Sequence, residues 1–204
     1  MISPYSESVL TTKFGKFKIF IFQDNKESCN EHAVLVKGDL KKLDNCLVRI
    51  HSECKTGDVF GSYRCDCGPQ LRKAFELINK EKRGIIIYLA QEGRGIGLGN
   101  KIKAYSLQDQ GYDTVEANKK LGFDPDLRDF TIAAEILKYF GINSVRLITN
   151  NPKKVQELEK NGINVTERVP CIIRPNRFNL NYLKTKRKKM GHLISDKVLK
   201  RNGN

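Results

Sequence analysis

The sequence predicts an α/β protein: a single layered domain with a mixed β-sheet flanked by helices. Three observations carry that prediction. Short apolar runs bounded by turn residues recur along the chain, stripes at helical spacing lie between the later runs, and the first runs follow one another with no helical pattern between them. The strand-like runs are KIFIF (18–22), AVLVKG (33–38), CLVRIHS (46–52), GIIIYLA (84–90), SVRLIT (144–149) and INVTERV (163–169). Leu71, Ala74, Phe75 and Ile78 fall at i, i+3, i+4 and i+7 and predict a helix over 69–82. Ile132, Ile136 and Phe140, with Ala133 and Leu137 beside them, stripe a second helix that Gly141 ends. Asn151, a good N-cap, and Pro152 at the first helical position open a third.

At 204 residues, with no internal repeat and no Pro/Ser-rich linker, the chain reads as one domain over 1–195 and a basic, flexible tail over 196–204. Its 39% hydrophobic and 29% charged residues place it in the ordinary globular class. No run approaches the roughly 18 apolar residues of a membrane helix, and the N-terminus lacks the pattern of a secretory signal. The expectation is a cytoplasmic protein without a membrane partner, whose six cysteines are not paired as disulfides. A net charge of +14 suits nucleic acid, a membrane surface or a small polyanion. Most basic residues are scattered; only KTKRKKMGHLISDKVLKR is dense, and it reads as a solvated surface. With no tryptophan and 8% aromatic residues for base stacking, nucleic acid is not the expected partner.

Cys54, Cys65 and Cys67 give the spacing C-x10-C-x-C, and the next cysteine or histidine after them is Cys171. A structural zinc normally closes with four protein ligands, whereas a catalytic one takes three and leaves the fourth position to water. The catalytic reading is preferred; His51 as a fourth ligand, or cysteines buried as small hydrophobes, are the alternatives. Three thiolates leave a zinc site net negative, so a neighbouring base is needed, and Glu53 or Asp126 suits that role. His51-Ser52-Glu53 matches the H-x-E half of the nucleobase deaminase signature, but Cys65 and Cys67 are one residue too close for the other half.

QEGRGIGLGN (91–100) alternates its glycines and so meets neither the dinucleotide fingerprint nor the phosphate-loop pattern. It reads as a flexible, backbone-exposing loop carrying Glu92 and Arg94, the latter able to grip a phosphate. In TNNPKK, Lys153 and Lys154 fall in a helix's first turn, a placement that makes sense if an anion lies there. FDPDLRDF sets Asp126 and Arg128 two apart after a proline, which alone reads as an exposed ion-paired turn.

Together RIHSECKTGD, RCDCG, QEGRGIGLGNKIKAYSLQDQGYDTVEAN, LGFDPDLRDF, ITNNPKK and KMGHL closely resemble GTP cyclohydrolase II, from about residue 10 to 195. The resemblance implies a homodimeric enzyme that opens the imidazole ring of GTP in the first committed step of riboflavin synthesis. It implies zinc for ring opening and Mg²⁺ with the triphosphate. Cys54, Cys65 and Cys67 correspond to the zinc ligands. Arg49, Ile50, His51, Ser52, Glu53, Gln70, Glu92, Gly93, Arg94, Thr114, Thr149 and Lys154 correspond to nucleotide-contacting positions. Asp126 resembles the proton acceptor, Arg128 the proposed nucleophile toward the α-phosphorus, and Tyr105 a tyrosine near the guanine. A guanidinium is a poor nucleophile, so electrostatic support suits Arg128 better. Ala90 departs from the arginine that many members carry there.

Overall fold

The computed structural model describes residues 2–24, 30–39, 41 and 44–200; Cys29 lies outside them. Among the described residues seven strands form one sheet: β1 (Pro4–Thr12), β2 (Gly15–Gln23), β3 (Glu31–Lys37), β4 (Cys46–Ser52), β5 (Gly84–Leu89), β6 (Ser144–Ile148) and β7 (Asn164–Val169). The helices among the described residues are α1 (Lys55–Asp58), α2 (Cys67–Glu81), α3 (Gly97–Asp109), α4 (Thr114–Lys120), α5 (Thr131–Tyr139), α6 (Pro152–Lys160), α7 (Leu180–Met190) and α8 (Asp196–Lys200). A short 3₁₀ turn spans Glu92–Gly95.

The strand order is β1-β2-β3-β5-β4-β6-β7. The β1/β2, β2/β3 and β3/β5 pairs are antiparallel, while β4/β6 and β6/β7 are parallel, so the sheet is mixed as predicted. All six apolar runs named from the sequence are strands. β1 was not foreseen because it offers no alternation to read: Tyr5 to Thr11 are exposed along an edge strand.

The chain divides into two compact units. The first comprises the residues up to His51, Arg72–Ala90 and Asp129–Cys171; the second comprises Ser52–Leu71, Gln91–Arg128 and the residues from Ile172 onward. Neighbouring strand residues point to opposite faces of the sheet, and the first unit uses both. One face turns Phe20, Phe22, Val34, Val48, Ile50, Ile85, Ile87 and Leu147 onto Ala133, Ile136 and Leu137 of α5 and Leu158 of α6. Phe17, on the opposite face of β2, meets Phe75 of α2 edge-on at 5.5 Å. Asn151 caps α6 by accepting from Lys153 N at 3.1 Å, with Pro152 in the first turn, as the sequence predicts.

The second unit has a smaller apolar cluster around Leu183, Ile194 and Leu199. None of the helices lying wholly within it is read from the sequence, and α3, α7 and α8 show why. The expected glycine loop is only the 3₁₀ turn, after which Gly97 and Gly99 already lie in α3. Glycines cost a helix about 1 kcal/mol each relative to alanine, so local preference argued against it. The basic KTKRKKM run is α7, closed by Gly191 in the left-handed conformation. Of the expected tail, Asp196–Lys200 form α8, because Leu199 is buried with Leu183 and Ile194; residues 201–204 lie outside the described residues.

Candidate active site

Cys54 leaves β4 and opens α1, while Cys65 and Cys67 flank Asp66 where the chain enters α2. Their three sulfurs lie within 4.8 Å of one another, Cys54 and Cys65 at 3.7 Å. Two glycines permit this convergence. A Cβ on Gly57 would stand 2.7 Å from Cys65 Sγ and 3.2 Å from Cys54 Sγ, and one on Gly68 would stand 2.2 Å from the Gly57 carbonyl oxygen. Any side chain there would fill the sulfur cradle or push α1 off the start of α2. No disulfide joins the described cysteines.

A lysine completes the cluster. Lys101 Nζ donates to Cys54 Sγ at 3.1 Å and to Glu92 Oε1 at 2.8 Å, and both side chains are buried. Hydrogen bonds from Cys65 and Cys67, reinforced by this ammonium, hold the Cys54 thiol far below its ordinary value. The bond to Cys54 in turn pushes Cys65 up to about 11, and Cys67 is raised by its bonds to the same two sulfurs. Burial alone would lower Lys101, but the Cys54 thiolate and Glu92 outweigh it and hold the ammonium above its usual range.

Glu92 is a brace. Its carboxylate accepts from Lys55 N at 2.6 Å and Gly93 N at 2.7 Å as well as from Lys101. Gly93 and Arg94 then both adopt left-handed backbone angles, φ 62° and 63°. That conformation is ordinary for glycine and strained for arginine, and such strain collects at functional sites. Arg94 is tied to the segment that carries the aspartate–arginine pair: its carbonyl accepts from Leu127 N at 3.2 Å. Arg128 grips Asp126 with two parallel bonds, Nε to Oδ1 and Nη2 to Oδ2, each 2.7 Å. Burial opposes the charge on Arg128, yet Asp126 raises its pKa, so the guanidinium stays cationic. The pair read from the sequence as an exposed turn is largely buried.

Tyr105, one helical turn after Lys101, shares a 3.3 Å hydrogen bond with Thr56 Oγ1, which lies 3.6 Å from Cys54 Sγ. Burial raises its phenol above the ordinary value. Thr114 opens α4 behind the capping box of Asp113 and Glu116. Gln70 is buried in α2 and donates to Asp66. Ser52 Oγ is buried with no hydrogen-bond partner among the described residues, and Glu53 meets Lys55 Nζ at 3.5 Å.

The remaining predicted residues belong to the first unit. Arg49 donates to the Ile148 carbonyl at 3.0 Å and approaches His51 Nδ1 at 3.5 Å. His51 stacks on Tyr88 and is not one of the donors in the sulfur cluster. Ile50 gives its side chain to the core and its carbonyl to Lys154 Nζ, 2.8 Å away. Lys154 therefore turns inward from the first turn of α6, over the Phe130 ring at 5.1 Å. Thr149 Oγ1 accepts from Asn151 N at 3.0 Å.

Sequence reasoning missed Lys101. The signal was present: Lys101, Ala104 and Tyr105 share one face once α3 is recognised, because residues three and four apart are neighbours on a helix.

A buried cradle of three sulfurs on an α/β scaffold, with a cation at its edge, defines a protein able to hold a soft metal ion. The family model for GTP cyclohydrolase II matches residues 4–170. The chain is 54% identical over 190 residues to a GTP cyclohydrolase-2 of Buchnera aphidicola, covering 93% of this chain and 97% of that one. It is 51% identical over 194 residues to a GTP cyclohydrolase-2 of Picrophilus torridus, covering 95% of this chain and 100% of that one. It is also 54% identical over 189 residues to a riboflavin biosynthesis protein RibBA of Chlorobium phaeovibrioides, covering 93% of this chain and 46% of that one. The chain thus spans about half the length of its RibBA relatives. It belongs to the GTP cyclohydrolase II family.

Proposed function

We propose that this protein hydrolyses GTP at its imidazole ring, yielding 2,5-diamino-6-(5-phosphoribosylamino)pyrimidin-4(3H)-one, formate and pyrophosphate, the first committed step of riboflavin synthesis. The observation that carries this reading is the convergence of Cys54, Cys65 and Cys67 within 4.8 Å in a member of this family. Soft sulfur donors suit zinc, three of them suit a site open to chemistry, and the space that Gly57 leaves between the sulfurs supports the fit. Bound there, zinc supplies Lewis acidity for hydration of an electron-poor purine carbon. Mg²⁺, a hard cation, would accompany the triphosphate oxygens. A cytoplasmic homodimer with one zinc per subunit belongs to the same reading.

The side chains have separable roles. Lys101 fixes the Cys54 sulfur and places positive charge against an electron-rich donor set. Arg128, its fork oriented by Asp126, is poised to stabilise charge on a phosphorus in transfer, and its persistent positive charge argues against nucleophilic attack by it. Both Asp126 oxygens already accept from Arg128, whereas Glu53 has one longer contact, so Glu53 is the better-placed carboxylate to take a proton. Tyr105, whose hydroxyl reaches the sulfur cluster through Thr56, is assigned to ring opening. Arg49, Ile50, His51, Ser52, Gln70, Glu92, Gly93, Arg94, Thr114, Thr149 and Lys154 are assigned to the nucleotide, Ile50 through its backbone alone.

The test is incubation with GTP and Mg²⁺, with and without a zinc chelator, while formate and pyrophosphate are measured. Formate equal to GTP consumed, and lost on chelation, supports the reading. GTP left intact, or formate insensitive to removal of the metal, refutes it. Salt-dependent binding to RNA or DNA without turnover would point to the nucleic-acid alternative.

A further inference from the structure

The basic C-terminal segment lies beyond the residues matched by the family model, and its composition alone marks it as solvated surface. In the structure α7 sends one lysine inward. Lys186 Nζ donates to Asp66 Oδ1 at 2.9 Å, with the two side chains 12% and 4% exposed. Lys184 and Lys188 on the same helix are exposed. Asp66 is the residue between Cys65 and Cys67, and its other oxygen accepts from Gln70 Nε2. Asn179, at the start of α7, aims its amide at the Cys65 carbonyl at 3.4 Å. Tyr182, one turn before Lys186, places its ring 4.7 Å from the ammonium.

A buried carboxylate wedged between two sulfur donors is expensive unless a cation is paired with it. A lysine left in water would have cost nothing, so this one is desolvated for what it holds. The same helix touches the cysteine segment twice, once at the Asp66 side chain and once at the Cys65 backbone. We propose that Lys186 is a positioning residue of the metal centre: through Asp66 it holds the Cys65–Cys67 segment so that both sulfurs face Cys54, which makes α7 a wall of the site. This rests on the reading of the three cysteines as metal ligands.

Two readouts that need no turnover test it: transfer of Zn²⁺ from the loaded protein to a chromophoric chelator, and the sulfur-to-metal absorption of the Co²⁺-loaded protein. Lys186→Met and Asp66→Asn are each expected to weaken zinc retention by roughly 10–100-fold, the usual effect of removing an outer partner of a ligand set. Both should change the Co²⁺ spectrum. Asp66→Asn leaves α7 with its own charges, so a loss shared by both variants does not come from an unfolded helix. The double variant should lose no more than either single, because the pair acts as a unit. Lys186→Arg should recover most of the retention, and Lys184→Met should match the native chain. Native retention in Lys186→Met, or losses that multiply in the double variant, overturns the proposal. A native chain with reduced thiols that takes up neither Zn²⁺ nor Co²⁺ overturns the metal reading itself, and this inference with it.

Discussion

The two units are held together by different forces. In the first, Ile85, Ile87, Leu89, Val48 and Phe22 are wholly buried, and its helices dock through apolar stripes. In the second, a smaller apolar cluster is joined by buried ion pairs: Lys101 with Glu92, Lys186 with Asp66, Arg128 with Asp126. A hydrophobic core tolerates exchange of one apolar residue for another, since burial is non-directional. A set of buried ion pairs does not, because each partner left alone is an uncompensated charge. The apolar positions of the first unit are therefore partly replaceable, whereas the ion-paired positions of the second are not.

The largest effect should come from breaking the second unit at its sulfurs. Cys65→Ser is expected to abolish formate release and zinc binding together, read by formate assay and metal analysis; retention of both would remove the basis for the contrast. Next in size, Arg128→Ala should lower kcat by about 10²–10³-fold, the scale of losing a charge-stabilising donor, while zinc content stays native. Pyrophosphate and formate should fall together if phosphate chemistry comes first, and unchanged GTP consumption would defeat that order. Lys101→Met leaves Glu92 buried without its cation and should cost about 3–5 kcal/mol of stability. Hydrogen exchange should place that loss in the second unit, with the sheet still protected. Ile87→Ala should cost about 2–5 kcal/mol through a cavity in the first unit, measured by denaturant unfolding, with zinc affinity unchanged. Smallest of all, Val9→Thr on exposed β1 should shift stability by less than about 0.5 kcal/mol.

The same contrast decides what could be read in advance. β4 was placed at its observed bounds and α6 at its observed cap, because period, turn residues and capping act over a few neighbours. The sulfur cluster was legible too: three cysteines around small residues at the start of an amphipathic helix have few other uses. Glu92 stands out beside the glycines, but nothing local shows that its carboxylate braces Lys55, Gly93 and Lys101. Asp126 and Arg128 were named but read as exposed from their own segment, since nothing local shows what covers a turn.

By itself, then, the order of residues determined the strands of the core, the principal helices that flank them and the identity of the three sulfur donors. Each depends on spacing along the chain, which elementary geometry converts into a face, a cap or a ligand set. Only the tertiary structure decided which charged side chains are buried and with whom. Lys186 meets Asp66 across 120 residues and Lys101 meets Cys54 across 47. A bond of about 3 Å between such distant residues depends on the completed fold, and no local pattern names the partner that either lysine meets.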